Sequence, residues 1–160
     1  MKNTTLCYIE KDSSYLMLYR NKKQNDENEG KYIGIGGRVE EKESPEDCIL
    51  REAYEETGLN LKNIKYSGLV TFVSNIYETE YMHLFSCKEF EGNLKECDEG
   101  KLVWVEKEKL FSLPMWEGDK IFLDLLEENG PFFSLKLVYE GDKLAFARLN
   151  GKEITLPYLK

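Results

Sequence analysis

The sequence predicts an α+β fold in which strands dominate and only two helices are present. Short alternating or continuous apolar runs, which are typical of strands, recur along most of the chain, whereas two segments place apolar residues at helical spacing. The chain has 160 residues and is 41% hydrophobic, so it is long enough to bury a core. Because no repeat, low-complexity tract or linker divides it, we expect one domain over residues 1–160.

The predicted strands follow one another with turn residues between them. The polar, Asn- and Lys-rich segment Asn21–Gly30 separates the second strand from the third and is expected to be a loop. The residues Glu140-Gly141-Asp142-Lys143 are expected to join the last two strands as a C-terminal β-hairpin. The predicted strands are Thr5–Glu10, Ser14–Tyr19, a short one from near Tyr32, Lys65–Ser74, Thr79–Glu89, Lys101–Glu106, Phe132–Tyr139 and Leu144–Leu149.

The two helices are predicted from their termini and from their apolar spacing. The first covers Pro45–Thr57, because Ser44 is a suitable N-cap, proline fits the first turn and Gly58 supplies a stop. The second extends from near Gly118 to Glu128, before the helix-ending sequence Asn129-Gly130-Pro131. Its apolar stripe consists of Ile121, Phe122, Leu125 and Leu126.

The charge balance argues against a nucleic-acid polymer as the partner. The chain carries 30 acidic and 22 basic residues, a net charge of −8, whereas binding a phosphate backbone calls for a basic face. A small phosphate ligand is compatible with this charge if metal ions lie between it and the acidic groups.

The cysteine spacing and the length of the apolar runs indicate the cellular compartment of the protein. The cysteines form neither a CxxC pair nor a zinc-like spacing, so we interpret them as free thiols in a reducing environment. No signal peptide is recognisable, and no apolar stretch approaches the roughly 20 residues of a membrane span. We therefore expect a cytoplasmic protein without a membrane partner. The cysteines are Cys7, Cys48, Cys87 and Cys97.

An acidic helix directly follows a glycine-rich turn, Gly34-Ile35-Gly36-Gly37-Arg38. At about 100° per residue, the side chains of Glu52, Glu55 and Glu56 fall within an arc of roughly 100°. Carboxylates crowded in this way repel one another unless cations intervene, and they are ligands that Mg²⁺ and Mn²⁺ prefer. The alternative is a solvated helix face on which Arg51 and Glu55 form an i,i+4 pair.

The joint spacing of these residues favours the metal site. Gly37 is followed after five residues by Glu43, and after seven more by Arg51-Glu52-Ala53, with Glu55-Glu56 and Gly58-Leu59 completing the pattern. This string resembles the complete signature of the Nudix hydrolases, with every fixed position filled. The resemblance implies the Nudix fold, a mixed sheet sandwiched between helices (α/β/α). It also implies cleavage of a nucleoside diphosphate linked to another moiety, with Mg²⁺ as cofactor and Mn²⁺ as a substitute.

The same resemblance implies a role for each residue of the signature. Glu56 or Glu99 would activate the attacking water, and Arg51 would orient a glutamate. Glu43 would hold the junction between loop and helix. The implied metal ligands are the carbonyl oxygen of Gly36 or Gly37 and the carboxylates of Glu52, Glu55, Glu56 and Glu99.

Two segments outside the signature resemble the MutT-like oxidised-purine nucleoside triphosphatases of the human type. Cys97-Asp98-Glu99 precedes a predicted strand, and Pro114-Met115-Trp116-Glu117-Gly118-Asp119 opens the second helix. In this resemblance Trp116 would stack on the purine of a substrate such as 8-oxo-dGTP, and Asp119 would hydrogen-bond its edge. Arg20 would lie near the phosphates. The products would be a nucleoside monophosphate and pyrophosphate.

The chain departs from this subgroup at two positions that read the base. Ile33 stands where such proteins often carry an asparagine, and Gly118-Asp119 stands where they often carry paired aspartates. Both departures affect residues that read the base, whereas the residues of the cleavage chemistry are all present. The remaining expected substrate contacts are Ile33, Gly36, Gly37 and Arg38.

Three residues can have a structural role in place of a functional one. We expect Trp104 to belong to the core, and His83 to serve in packing or hydrogen bonding. Trp116 has the alternative of anchoring the second helix. Three functions stay open: a nucleoside triphosphate pyrophosphohydrolase acting as a monomer or homodimer, a hydrolase of ADP-sugars or dinucleoside polyphosphates, and a non-catalytic nucleotide-binding module.

Overall fold

The computed structural model describes residues 1–127 and 129–159, and all statements below refer to this part of the chain. It contains the helices α1 (Pro45–Thr57) and α2 (Glu117–Glu127), with a 3-10 turn at Lys107–Ser112. The strands are β1 (Lys2–Lys11), β2 (Ser14–Tyr19), β3 (Tyr32–Ile33), β4 (Ile35–Arg38), β5 (Asn60–Lys62), β6 (Lys65–Ser74), β7 (Glu80–Cys87), β8 (Glu89–Glu91), β9 (Lys101–Glu106), β10 (Phe133–Glu140), β11 (Lys143–Leu149) and β12 (Lys152–Glu153).

The main sheet is mixed, as the sequence predicts. Its order is β12-β11-β10-β6-β7-β1-β2-β3, with β4 paired to β1 and β9 paired to β2. β1 pairs in parallel with β7, and β6 pairs in parallel with β10, whereas the other pairs are antiparallel. β2 meets β1 only at Glu10 and Lys11, which leaves the rest of that edge to β4.

The two helices cover opposite faces of this sheet. Successive residues of a strand face opposite sides. Tyr8 of β1 contributes to one core, where its ring lies 6.0 Å from that of Phe122 on α2. Its neighbour Cys7 belongs to the other core, with Ile49 and Ala53 of α1. The structure thus has the expected α/β/α layers.

Helix α1 begins and ends where its terminal residues predict. Ser44 accepts a hydrogen bond from the amide of Asp47, whose carboxylate in turn accepts one from the amide of Ser44. Such a capping box stabilises a helix start by about 1 kcal/mol. Gly58 ends the helix in the left-handed conformation, with φ of 81°. Both ends of the acidic helix are therefore fixed.

Some predicted bounds differ from the structure. The predicted strand Thr79–Glu89 divides into β7 and β8, because β7 pairs with β1 and β6 while β8 pairs with β5 in a separate sheet. Helix α2 begins at Glu117, and its predicted last residue, Glu128, lies outside the described residues. The C-terminal hairpin of β10 and β11 is confirmed. Neither described helix is long and apolar enough to cross a membrane.

Candidate active site

A cleft of about 620 Å³ lies near the start of β1 and β7 and the end of β6 and β10. It brings together most of the residues that the sequence singles out. Arg51, Glu55 and Glu56 do not line it but lie on α1, which carries the cleft residue Glu52. The predicted site residues that line the cleft are Arg20, Ile33, Gly36, Gly37, Arg38, Glu52, Glu99, Trp116 and Asp119.

One end of the cleft is formed by Gly36, Gly37, Glu52 and Glu99. It is called the glutamate end below, together with Glu56, which does not line the cleft but accepts a hydrogen bond from Gly36. Glu56 is only 7% exposed, and its Oε1 accepts a hydrogen bond from the amide of Gly36 at 3.1 Å. Its Oε2 is buried without a hydrogen-bond partner. Burial, reinforced by the charges of Glu99 and Glu52, raises the pKa of Glu56 to about 9. A buried carboxylate without a partner is unfavourable and is relieved by a proton or a cation.

The two glycines allow the backbone to approach these carboxylates. A Cβ on Gly37 would lie 2.3 Å from Cδ of Glu52, and one on Gly36 would lie 1.9 Å from the carbonyl oxygen of Thr5. The carbonyl oxygen of Gly37 already accepts hydrogen bonds from the Thr5 hydroxyl at 3.3 Å and the Cys48 thiol at 3.7 Å. Gly36, whose amide faces Glu56, is therefore the better placed of the two to offer a free carbonyl.

Arg51 ties the loop before α1 to the acidic residues on α1. Its guanidinium donates to both carboxylate oxygens of Glu43, at 2.6 and 2.9 Å, and to the carbonyl oxygen of Arg38 at 3.2 Å. It also donates to Glu52 at 2.7 Å and Glu55 at 3.2 Å. The hydrogen bonds from Arg51 lower the pKa of Glu43 to about 2. The i,i+4 pair thus forms, and the Glu55 side chain is 57% exposed, but the pair belongs to a larger network.

The glutamate end fits a divalent cation chemically. In residues 1–127 and 129–159, no three His, Cys, Asp or Glu side chains converge on one ion position, and Arg51 donates hydrogen bonds to both Glu52 and Glu55. Burial nevertheless raises the pKa of Glu52, and Glu56 keeps a buried oxygen without a partner. A cation would relieve both conditions while competing with the arginine.

Arg20 is a fixed cation beside the glutamate end. Its side chain is only 10% exposed and donates to Glu99 at 3.1 Å and to Asp26 at 2.7 Å. Arg38 differs from it, because its side chain is 64% exposed and pairs with Glu78 at 3.1 Å on the rim of the cleft. Of the two arginines predicted to contact the substrate, Arg20 is the preorganised one.

The other end of the cleft, formed by Asn28, Phe72, Trp116, Asp119 and Tyr139, is called the tryptophan end. The indole of Trp116 meets the ring of Tyr139 edge-on at 5.2 Å and donates its N–H to Asn28 at 2.8 Å. Asp119 is only 4% exposed, and its burial, together with the charge of Glu80, raises its pKa to about 8. Sequence reasoning missed Asn28, Phe72 and Tyr139, whose sequence context is that of an ordinary loop or strand.

Two residues with competing interpretations lie outside the cleft. Trp104 packs in the core under α1, with its ring 6.0 Å from that of Phe90, which confirms the expected core role. His83 exchanges hydrogen bonds with Tyr66 and, at 3.1 Å, with Asn3. It does not line the cleft, so the expected hydrogen-bonding role is confirmed.

Comparison with known proteins defines the class. The model of the NUDIX domain matches residues 2–126, so the chain belongs to the Nudix hydrolases, enzymes that act on phosphoric anhydrides. Nudix hydrolases act on small nucleotide substrates and generally depend on a divalent metal. The chain therefore belongs to a class of enzymes, and the residues of its signature lie in the loop before α1 and on α1 itself.

Individual relatives extend over most of the chain. The uncharacterized Nudix hydrolase YvcI of Bacillus subtilis is 30% identical over 131 residues, which covers 79% of each chain. The oxidized purine nucleoside triphosphate hydrolase of Danio rerio is 33% identical over 105 residues, or 64% of this chain and 67% of that protein. The crystal structure of a MutT protein from Bacillus halodurans superposes with a TM-score of 0.84 at 28% identity, covering 94% of this chain and 98% of that one.

Proposed function

We propose that this Nudix hydrolase is a Mg²⁺-dependent pyrophosphohydrolase of purine nucleoside triphosphates, oxidised purines such as 8-oxo-dGTP included. Its products would be the nucleoside monophosphate and pyrophosphate. One observation carries the proposal: a single cleft connects Gly36 and Glu52 at the glutamate end with Trp116 and Asp119 at the tryptophan end. A nucleotide is the ligand class that needs a metal-bound anhydride at one end and a flat, hydrogen-bonding ring at the other.

In this proposal the glutamate end holds the metal and moves a proton. When bound, Mg²⁺ or Mn²⁺ would polarise the anhydride and lower the pKa of water. Glu56 or Glu99 would accept the proton of the attacking water, because both are carboxylates at this end of the cleft. The proposed ligands are Glu52, Glu55, Glu56, Glu99 and a backbone carbonyl, for which Gly36 is better placed than Gly37.

Two arginines would assist in different ways. Arg51 binds Glu43, Glu52 and Glu55 and would keep these carboxylates in place when the substrate enters. Arg20 is buried beside Glu99 and would attract the phosphates as a fixed charge. Arg38, exposed at the rim, would contact the outer phosphate oxygens.

The tryptophan end would bind the base. Trp116 would stack on the purine, and Ile33 would form an apolar part of the cleft wall. With a pKa of about 8, Asp119 is a carboxylic acid at neutral pH, so it can both donate and accept a hydrogen bond at the purine edge. The Danio rerio and Mus musculus relatives, both oxidized purine nucleoside triphosphate hydrolases, support this choice of base.

A substrate panel tests the proposal. Release of the nucleotide products is measured by chromatography with Mg²⁺ for dGTP, 8-oxo-dGTP, dATP, ADP-ribose and diadenosine tetraphosphate, with EDTA as the metal-free control. Purine triphosphates should give a kcat/KM at least about tenfold above that of ADP-ribose, and EDTA should abolish release. Equal kcat/KM for ADP-ribose and dGTP would contradict the substrate class, and undiminished turnover in EDTA would contradict the metal dependence.

A further inference from the structure

The indole of Trp116 contacts two residues of the segment that follows β2. Its Nε1–H donates a hydrogen bond to Oδ1 of Asn28 at 2.8 Å. The ammonium group of Lys31 lies over one face of the ring, 4.4 Å from its centroid. Asn28 and Trp116 line the cleft, whereas Lys31 does not. Lys31 therefore covers one face of the indole, while part of Trp116 faces the cleft.

Asn28 is itself held in place by its neighbours. Asp26 accepts a hydrogen bond from Arg20 at 2.7 Å through one carboxylate oxygen and from the amide of Asn28 at 3.2 Å through the other. The side chains of Arg20 and Asp26 are only 10% and 7% exposed. On the other side of Asp26, Glu27 pairs with Lys2 of β1 at 3.2 Å. The acceptor oxygen thus sits on an anchored turn and not on a free loop.

The hydrogen bond limits how the indole can turn. Trp116 is only partly buried, and its contact with Tyr139 is edge-on, with an interplanar angle of 77°. The torsion that rotates an aromatic ring about its Cβ–Cγ bond is broad when packing does not restrict it. A bond at the ring N–H removes this freedom before the ligand arrives, and a preorganised ring loses less entropy on binding.

We propose that Asn28 is a positioning residue for base recognition, because its side-chain oxygen holds the indole of Trp116 in the orientation that stacks on the base. This inference rests on the proposed function, since it requires a planar base in the cleft. Asn28 lies at the tryptophan end, and its side-chain oxygen accepts a hydrogen bond from Trp116 and not from a residue that would act on the anhydride. It therefore affects KM and leaves kcat nearly unchanged.

The test compares two substitutions of the same residue. Asn28→Leu removes the acceptor, whereas Asn28→Asp keeps an acceptor oxygen in a side chain of the same shape. Asn21→Leu is the matched control, because Asn21 is an exposed residue of the same loop. The chain has two tryptophans, Trp104 and Trp116. All three substitutions are made in a Trp104→Phe background, so that the tryptophan fluorescence comes from Trp116 alone. The measurements are dGTP kinetics with Mg²⁺ and titration of Trp116 fluorescence with dGMP.

We expect Asn28→Leu to raise KM for dGTP and Kd for dGMP about fivefold to tenfold, with kcat within about twofold of the parent. Asn28→Asp should restore both constants, and Asn21→Leu should match the parent. A parent-like KM and Kd in Asn28→Leu overturns the inference, and so does an Asn28→Asp protein that binds no better than Asn28→Leu. Asn28→Asp also decides the matter if Asn28→Leu does not fold, because a raised KM in a variant that keeps the acceptor contradicts the role.

Failure of the proposed function has a different signature. A parent protein that neither cleaves dGTP nor binds dGMP removes the proposed function, and the positioning role with it. A parent that does both, with variants that do not differ from it, removes the positioning role alone.

Discussion

The glutamate end and the tryptophan end of the cleft are assembled in different ways. Most of the glutamate end comes from one continuous stretch, residues 36–56, in which a tight turn leads into a helix with defined caps. The tryptophan end draws Asn28, Phe72, Trp116, Asp119 and Tyr139 from a loop, two strands and the start of α2. The residues of the glutamate end are thus mostly encoded in one stretch of sequence, whereas those of the tryptophan end are brought together by the tertiary fold.

The two ends also differ in the forces that hold them. Charged hydrogen bonds around Arg51 dominate the glutamate end, and aromatic contacts around Tyr139 dominate the tryptophan end. We therefore expect changes at the first to act mainly on kcat and changes at the second to act mainly on KM. Three predictions test this division, and a fourth tests the protonation of Asp119.

The largest effect is expected for Glu56→Gln. Glutamine can still accept the hydrogen bond from the Gly36 amide but carries no charge, so it can neither bind a cation strongly nor accept a proton. The kcat for dGTP should fall about 10²- to 10⁴-fold. The melting temperature should stay the same or rise, since a buried acid is removed. Glu41→Gln, at an exposed position of the preceding loop, is the control. A kcat within threefold of wild type, about 0.6 kcal/mol, would remove Glu56 from the mechanism.

A smaller loss of kcat is expected for Arg51→Lys. Lysine keeps the charge but cannot make the two-pronged contact with Glu43 while also reaching Glu52. We expect kcat to fall about tenfold, with a lower melting temperature in thermal unfolding. Arg148→Lys, an exposed position on β11, should change neither quantity. An unchanged kcat in Arg51→Lys would show that the network is structural only.

The tryptophan pair separates ligand binding from packing. Trp116→Ala should raise KM for purine triphosphates about tenfold, because base stacking contributes about 1–3 kcal/mol, and should leave kcat within about threefold. Trp104→Ala should lower the melting temperature without raising KM, since this ring packs against Phe90 in the core. If both variants lose stability and neither raises KM, Trp116 merely anchors α2.

The last prediction concerns the dependence of the free energy of unfolding on pH. The pKa of Asp119 is about 8 in the fold against an ordinary 3.8, so the unfolded chain releases this proton at a lower pH than the folded chain does. The carboxyl therefore costs the fold stability as the pH rises from about 4 to about 8. Asp119→Asn removes this cost, and its melting temperature relative to wild type should increase by roughly 7–15 °C between pH 5 and pH 8.

The measurement is thermal unfolding in EDTA, so that metal binding does not contribute. A difference in melting temperature that does not change with pH would mean that Asp119 is ionised in both states. In that case the carboxyl could only accept hydrogen bonds from the base.

The sequence is sufficient to predict α1 and the glutamate end because their determinants are local. Ser44, Asp47 and Gly58 define the helix ends through contacts within four residues. The spacing from Gly37 to Glu56 then places the carboxylates on one side of one helix. Apolar alternation along the sequence predicts the long strands equally well. The short strands β5, β8 and β12 were not, since each has only two or three residues and exists through its pairing partner.

The tryptophan end shows the limit of local reasoning. Only the resemblance to a known family points to Trp116 and Asp119, and the sequence around Asn28 predicts an ordinary loop. Nothing in the local sequence of Phe72 or Tyr139 distinguishes them from other aromatic residues of the sheet. Their positions at the ends of adjacent strands β6 and β10 emerge only when those strands pair in parallel.

The packing of Gly36 against the backbone of Thr5 restricts how this enzyme can diverge. A Cβ at position 36 would lie 1.9 Å from the carbonyl oxygen of Thr5, so this position is closed to gradual change, and a lineage that acquires a new substrate must accumulate its replacements elsewhere. The residues of the tryptophan end, Phe72 and Tyr139 among them, lie on separate helices, strands and loops. They can therefore be substituted one at a time.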